Sequence, residues 1–322
     1  MYVWPNKLEI EMESSMDKLI VIVGPTAVGK TALSLELAKK FNGEIVSGDS
    51  MQIYRQLDIG TAKATPEEQT VAPHHMIDIA DPAEHYSAAR FVGEAQAAIA
   101  DITARGKMPI LVGGTGFYVQ ALLGDRPLAE VDDIKDEAFV EKWTAIAHEQ
   151  GEAVVRDALR ELDPVSETRI LPGQIRRLVR ALLVSDHTGK PFSEQQPEPK
   201  RLYDAYIIGL TTDRPVLYDR INARVDAMIA NGLLEEARIA AMLPEDSTAK
   251  KAIGYKELFG YLDGVETLEQ ASEALKQASR RYAKRQMTWF NNQFTDIHWY
   301  DLVQNIATLK TIESDVAGFV SE

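Results

Sequence analysis

Short apolar runs recur along the chain, and each is followed, after a loop, by a stretch with helical periodicity. KLIVIV (18–23), GEIVSGDS (43–50), MPILVGG (108–114) and YIIGLT (206–211) are rich in β-branched residues, the composition of short strands. Strands alternating with helices predict an α/β fold, with a mostly parallel sheet flanked by helices. Between residues 125 and 200 the strand signal stops. DIKDEAFVEKWTAIAHEQGEAVVRDALREL reads as helices, followed by a basic segment and the Pro-rich GKPFSEQQPEPKR. The pattern predicts an all-helical insertion domain at 125–200 in a core made of 18–124 and 201–322, with an N-terminal extension at 1–17. Beyond it, RPVLYDRINARVDAMIANGLLEEARIAAML reads as one long helix or two short ones broken at Asn231-Gly232, a turn-forming pair. Residues 268–290 read as a further helix with a basic face.

Ligands of parallel sheets gather at the carboxyl ends of the strands. GPTAVGKT (24–31), GDS (48–50) and GGTG (113–116) all fall there, so they are expected to share one cleft. GPTAVGKT matches G-x-x-x-x-G-K-[ST] in its proper setting, between a strand and a helix. Its backbone N–H groups and the helix N-terminus suit phosphate oxygens, Lys30 adds a full charge, and the Thr31 hydroxyl can reach Mg²⁺ or phosphate. ATP or GTP is the usual reading of this loop; a ligand-free helix entry is the bland one. Asp49 closes the next strand, expected to lie beside that of the loop. It could bind Mg²⁺, accept a substrate hydrogen bond, act as a general base, or cap a following helix. MPILVGG ends in glycines, where many phosphate-loop enzymes place a metal-binding Asp. That counts against ordinary ATP hydrolysis. The glycines form a tight turn or let a bulky group approach.

Composition narrows the classes. The 322 residues are 45% apolar and 26% charged, without cysteine, which excludes disulfides and thiolate metal sites. No apolar run approaches membrane-spanning length, and the first residues lack the basic and apolar stretches of a secretion signal; a cytoplasmic protein is expected. A net charge of −14 speaks against nucleic acid on average. Two basic islands stand out, however: KQASRRYAKR (276–285), and RILPGQIRRLVRALL from Arg169. Arg176 and Arg180 share a helix face with Arg177 beside them, and Arg281, Arg285 and Trp289 form a second stripe. Each is either a solvated face or, with KKAIGYK (250–256), a contact for a phosphate backbone. His74 and His75 lack metal-site spacing and are read as structural; zinc, haem and flavin have no support.

In order, GPTAVGKTALSLELA, IVSGDSMQIYRQLDIGTAK, PHHMIDIADPAEHYSAARF, PILVGGTGFY, RRLVRAL, KAIGYKE and AKRQMTWF resemble the tRNA dimethylallyltransferase family, the bacterial tRNA isopentenyltransferases. The resemblance spans about residues 19–300. It implies a P-loop core, a helical insertion embracing the tRNA anticodon stem-loop, and Mg²⁺. It also implies transfer of a dimethylallyl group from dimethylallyl diphosphate to the exocyclic amine of adenosine 37, immediately 3′ of the anticodon. On that pattern, Gly24, Pro25, Thr26, Ala27, Val28, Gly29, Lys30 and Thr31 hold the diphosphate, with Thr31 also a ligand of Mg²⁺. Arg224 is the distal arginine, with Arg220 as second choice. Asp49 takes the amine proton, and with Ser50, Met51 and Gln52 lines the end of a channel that receives the base. Thr115 touches tRNA near the reacting nucleotide. Arg176, Arg177, Leu178, Val179 and Arg180, with Lys251, Ala252, Ile253, Gly254, Tyr255 and Lys256, hold the anticodon arm. Arg281 and Arg285 complete the RNA contacts, and no membrane or obligate protein partner is implied. The rival readings are a P-loop small-molecule or nucleoside kinase, and a non-catalytic RNA-binding protein with a vestigial loop.

Overall fold

The computed structural model describes residues 16–128, 134, 136–195 and 197–322. All but the last two residues of the expected N-terminal extension lie outside the described residues. The chain divides into two units, one running to Val119 and resuming at Arg201–Glu322, the other Gln120–Lys200.

The first unit is built on six parallel strands: β1 (Lys18–Val23), β2 (Gly43–Ser47), β3 (His74–His75), β4 (Met108–Gly113), β5 (Asp204–Leu210) and β6 (Ile297–Tyr300). Their order is β3-β2-β4-β1-β5-β6. The central β1 is the most apolar run, and Leu19 through Val23 are all fully buried, as a strand covered on both faces must be. Its neighbours are β4 and β5. The expectation that the Asp49 strand lies beside that of the phosphate loop is therefore corrected. The helix α1 (Lys30–Lys40) carries the chain past one strand position, and β4 fills the gap. Two strands escaped the sequence reading, β3 and β6; with two and four residues at the sheet edges, neither carries an apolar run of readable length.

Helices α2 (Pro66–Val71), α3 (Ala88–Ala104) and α4 (Gly116–Leu123) follow in the first half. The residues after the phosphate loop form α1 because its apolar positions, Leu33, Leu37 and Ala38, bury one face against the sheet. The second unit holds α5 (Glu137–Glu149), α6 (Glu152–Leu162), α7 (Pro164–Arg169) and α8 (Ile175–Thr188). Its core is Ala147 of α5, Val155 and Leu159 of α6, and Leu178, Val179, Ala181 and Leu182 of α8. Returning to the sheet unit, α9 (Arg214–Ala230) and α10 (Leu233–Ala241) are separate helices. The break falls at Asn231 and Gly232, where Gly232 has φ of 103°, a left-handed conformation glycine adopts without penalty. A short α11 (Phe259–Leu262), the long α12 (Leu268–Gln293) and α13 (Thr308–Ser321) complete the fold. Ile312 and Val316 of α13 join the buried cluster around the sheet. Among the described residues no helix is long and apolar enough to cross a membrane.

Candidate functional site

A cleft of about 960 Å³ opens at the carboxyl ends of β1, β2 and β4, within the sheet unit. Thr26 to Thr31, Asp49 to Gln52, Gly113 and Gly114 line it, with Arg220 and Arg224 of α9 and Tyr282 and Arg285 of α12. The three motifs at the strand ends thus share one space, although their strands are not all neighbours.

The phosphate loop takes its shape from left-handed backbone at Gly24 (φ 142°), Ala27 (φ 65°) and Gly29 (φ 106°). A Cβ at Gly24 would stand 2.5 Å from the Leu210 carbonyl oxygen, so only glycine lets the loop rest on β5. Such alternation of backbone handedness turns successive N–H groups inward as an anion cradle. Gly24 and Pro25 are themselves buried and do not line the cleft; their carbonyls accept from Lys30 Nζ at 2.9 and 2.7 Å. These two residues thus support the loop and hold its lysine. Burial lowers the Lys30 pKa to about 8, against the pull of Asp49 and with a further push from Arg224.

Asp49 is followed by turns rather than a helix, which removes the capping alternative. Its Oδ1 accepts from the Met51 N–H at 2.9 Å. Removal from bulk water pushes its carboxyl above the usual aspartate range, while Lys30 and Arg224 pull it back. Burial lowers the Arg224 guanidinium, opposed by Asp49 and Glu68, and Arg224 lines the same cleft as Asp49. Arg220 Nε donates to the Ala27 carbonyl at 2.9 Å and anchors the loop from outside.

Gln52 is fixed on both sides of its amide. Oε1 accepts from Ser47 Oγ at 2.8 Å, and Nε2 donates to the carbonyls of Thr61 and Ala62 at 3.3 and 3.2 Å. Thr115 stands one step behind the cleft surface: its Oγ1 accepts from the Ser50 N–H at 3.1 Å and donates to Ser50 Oγ at 3.3 Å. The paired glycines before it exist for close approach. A Cβ at Gly113 would strike the Gly48 carbonyl, and one at Gly114 would strike Gln286.

Lys251, Ile253, Gly254 and Lys256 line the cleft mouth, with both lysines exposed. Ala252 lines it too but is only 8% exposed. Tyr255 is fully buried and its hydroxyl donates to Glu236, so its implied RNA contact is corrected. The same holds for Leu178 and Val179, 0% and 1% exposed in the helical core. A helix or turn presents only some residues of a contiguous motif outward. Arg176 and Arg177 are exposed; Arg180 is half-buried and donates to the Ile134 carbonyl. Arg285 faces the cleft, lying over the Tyr282 ring at 5.6 Å, while Arg281 is exposed outside it. His75 pairs with the buried Glu44 at 2.7 Å, and Arg105 and Lys107 complete the cluster from the surface side. His74, by contrast, lines the cleft.

Sequence reasoning missed Gln286, Glu236 and Tyr282. Gln286 Oε1 accepts from the Thr26 N–H at 2.9 Å, and Nε2 donates to the Gly114 carbonyl at 3.0 Å, tying the phosphate loop to the end of β4. Its only signal was a polar residue on the buried side of an otherwise basic helix. Among the described residues no group of three or more His, Asp or Glu is placed to hold a metal by itself.

The phosphate-loop motif, Asp49 and two arginines of α9 line one cleft at the strand ends of a parallel sheet, the arrangement of a P-loop protein. The absence of an acid at the end of β4 separates it from ordinary nucleotide hydrolases. The IPP transferase family profile matches residues 52–293, and an isopentenyl transferase profile matches residues 17–77. The chain belongs to the IPP transferase family. It is 50% identical over 309 residues to a tRNA dimethylallyltransferase of Limosilactobacillus fermentum, covering 95% of this chain and 100% of that one. It is 53% identical over 311 residues to one from Limosilactobacillus reuteri, with the same coverage. Of solved structures, the full-length tRNA isopentenylpyrophosphate transferase of Bacillus halodurans is 45% identical with a TM-score of 0.70, covering 95% of this chain and 97% of that one. A eukaryotic dimethylallyltransferase captured acting on tRNA is 33% identical with a TM-score of 0.79, covering 94% of this chain and 77% of that one.

Proposed function

We propose that the protein transfers a dimethylallyl group from dimethylallyl diphosphate to the exocyclic amine of the adenosine 3′ of the anticodon in tRNA, releasing diphosphate. The observation that carries this reading is Asp49 in one cleft with the phosphate cradle, beside a strand end that offers glycines instead of a second acid. A kinase would place an additional metal-binding acid there.

The amine nitrogen attacks the allylic carbon as the carbon–oxygen bond to diphosphate breaks and its electron pair leaves with the oxygen. The amine becomes acidic only as the new carbon–nitrogen bond forms, so a weak base suffices, and Asp49 receives the proton. Cradle N–H groups and Lys30 meet the charge growing on the departing diphosphate from one side, and Arg224 from the other. Met51 and the fixed amide of Gln52 face the extruded base. Extrusion from a single-stranded loop costs a few kcal/mol, and the exposed Arg176, Arg177, Lys251 and Lys256 offset it by gripping phosphates of the anticodon stem-loop. The Thr31 hydroxyl and the Glu68 carboxylate that line the cleft are hard oxygens, the donor type Mg²⁺ takes together with substrate phosphates. When bound near Thr31 it would supply further charge neutralisation at the diphosphate. The reading places the protein in the cytoplasm, with its tRNA substrate.

The test is to incubate the protein with Mg²⁺, unmodified tRNA and radiolabelled dimethylallyl diphosphate, and to count label in the RNA. Label is expected in tRNA with adenosine 3′ of the anticodon and absent when guanosine replaces it. No label in either, with phosphate transferred from ATP to a small acceptor, would establish the kinase instead.

A further inference from the structure

Glu236 on α10 stands outside the cleft, 7% exposed, yet it gathers four donors. Its Oε2 accepts from the N–H groups of Asp58 and Ile59, both at 2.8 Å, and its Oε1 from the Gly60 N–H at 2.9 Å and the Tyr255 hydroxyl. These partners come from separate parts of the chain, Asp58 lying 178 residues from Glu236. The Tyr255 ring also takes the place of a side chain at residue 60, where a Cβ would stand 2.6 Å from it. The two oxygens of a carboxylate have acceptor sites enough for all four donors. Immediately beyond this loop, the carbonyls of Thr61 and Ala62 receive Gln52 Nε2. On the other side, Gly254 and Lys256 flank Tyr255 and line the cleft mouth.

We propose that Glu236 is a positioning residue that clamps the two walls of the cleft on its RNA side, and so sets the orientation of the Gln52 amide. The proposal rests on the preceding reading that Gln52 faces the base. It separates the two halves of the cleft: the clamp acts on loop 58–62 and segment 251–256, whereas the phosphate cradle is held by Gln286, Arg220 and Lys30. Loss of the clamp therefore weakens tRNA use and leaves the diphosphate side intact. A carboxylate that only stabilised the fold would change the melting temperature and spare both Michaelis constants.

The experiment compares Glu236→Gln and Tyr255→Phe with the parent protein, reading melting temperature, the two KM values, tRNA affinity by filter binding, and amide hydrogen exchange across residues 55–63. Glutamine keeps the shape but turns an N–H₂ toward backbone N–H groups. The expected result for Glu236→Gln is a tRNA KM raised about tenfold, the scale of losing charge-assisted hydrogen bonds. The donor KM is expected to stay within about twofold, with faster exchange at residues 58–60. Tyr255→Phe keeps the ring and removes one donor, so a rise of about threefold in tRNA KM is expected. A folded Glu236→Gln with unchanged tRNA KM and affinity, or with both KM values raised alike, overturns the proposal. If Glu236→Gln does not fold, Tyr255→Phe decides: an unchanged tRNA KM overturns the clamp. If the parent protein transfers no dimethylallyl group, the functional reading fails instead, and exchange together with tRNA affinity still judges the clamp.

Discussion

Replacing Gln286 by leucine tests how the phosphate loop is held. Gln286 is 5% exposed and bridges the Thr26 N–H and the Gly114 carbonyl. Thr26 N–H is therefore not offered to phosphate; its bond fixes where Ala27 to Lys30 stand. Leucine keeps nearly the same volume and removes both bonds. Each ordinary bond contributes about 1 kcal/mol net, and a buried group left unpaired costs about 1–3 kcal/mol. Thr26 is half-buried in the cleft, so water can serve its N–H, whereas the Gly114 carbonyl is buried. Together these come to about 2–3 kcal/mol, or a fall in Tm of roughly 3–6 °C. Loosening the loop disperses its N–H groups before diphosphate arrives, and the donor KM should rise about tenfold, equivalent to ~1.4 kcal/mol. Thermal unfolding and steady-state kinetics with each substrate varied in turn measure both effects. An unchanged Tm with an unchanged donor KM would refute the bridge, and a rise confined to tRNA KM would move Gln286 to the RNA side.

Three further outcomes follow from the site. Asp49→Asn should lose most turnover while keeping tRNA affinity. Because burial raises the Asp49 carboxyl, the folded protein binds its proton more tightly than the unfolded chain, and this group's contribution to stability falls as pH rises through that window. The Asp49→Asn protein should therefore be at least as stable as the parent at neutral pH by urea titration, and parent activity should fall as pH drops through a value above the usual aspartate range. Lys30, lowered to about 8, should make donor KM climb toward about tenfold per pH unit above that value; Lys30→Met should have a high, pH-flat donor KM, and a parent profile without the climb would contradict the assignment. Arg177→Ala should reduce the salt dependence of tRNA affinity, whereas Leu178→Ala should destabilise the helical unit by about 2–5 kcal/mol and leave the salt slope of the folded protein alone. Equal salt slopes for Arg177→Ala and the parent would remove that residue from the interface.

The legible features were those whose physics is local. KLIVIV, GPTAVGKT and the Asn231-Gly232 break each carry their reason within a few neighbouring residues, and each stands in the structure where its pattern placed it. The two edge strands were too short to announce themselves. Tyr255, Leu178 and Val179 show the opposite failure, a motif seen as a string whose members face different ways. Gln286 and Glu236 were silent because a lone glutamine or glutamate on a helix has no distinguishing spacing. Their partners, Thr26 and Gly114, or Asp58 and Tyr255, lie on other elements of the chain.

The sequence by itself determined that a phosphate cradle, an acid and paired glycines would end three strands of a parallel sheet, because apolar period and glycine chemistry act over a few residues. Only the tertiary structure decided that β4 lies between β1 and β2, and that the glycines there admit Gly48 and Gln286 instead of a metal-binding acid. It alone decided which motif residues look into the cleft and which hold it open. Strand order and side-chain partnership depend on contacts between distant segments, and burial selects those contacts only once the whole sheet is assembled.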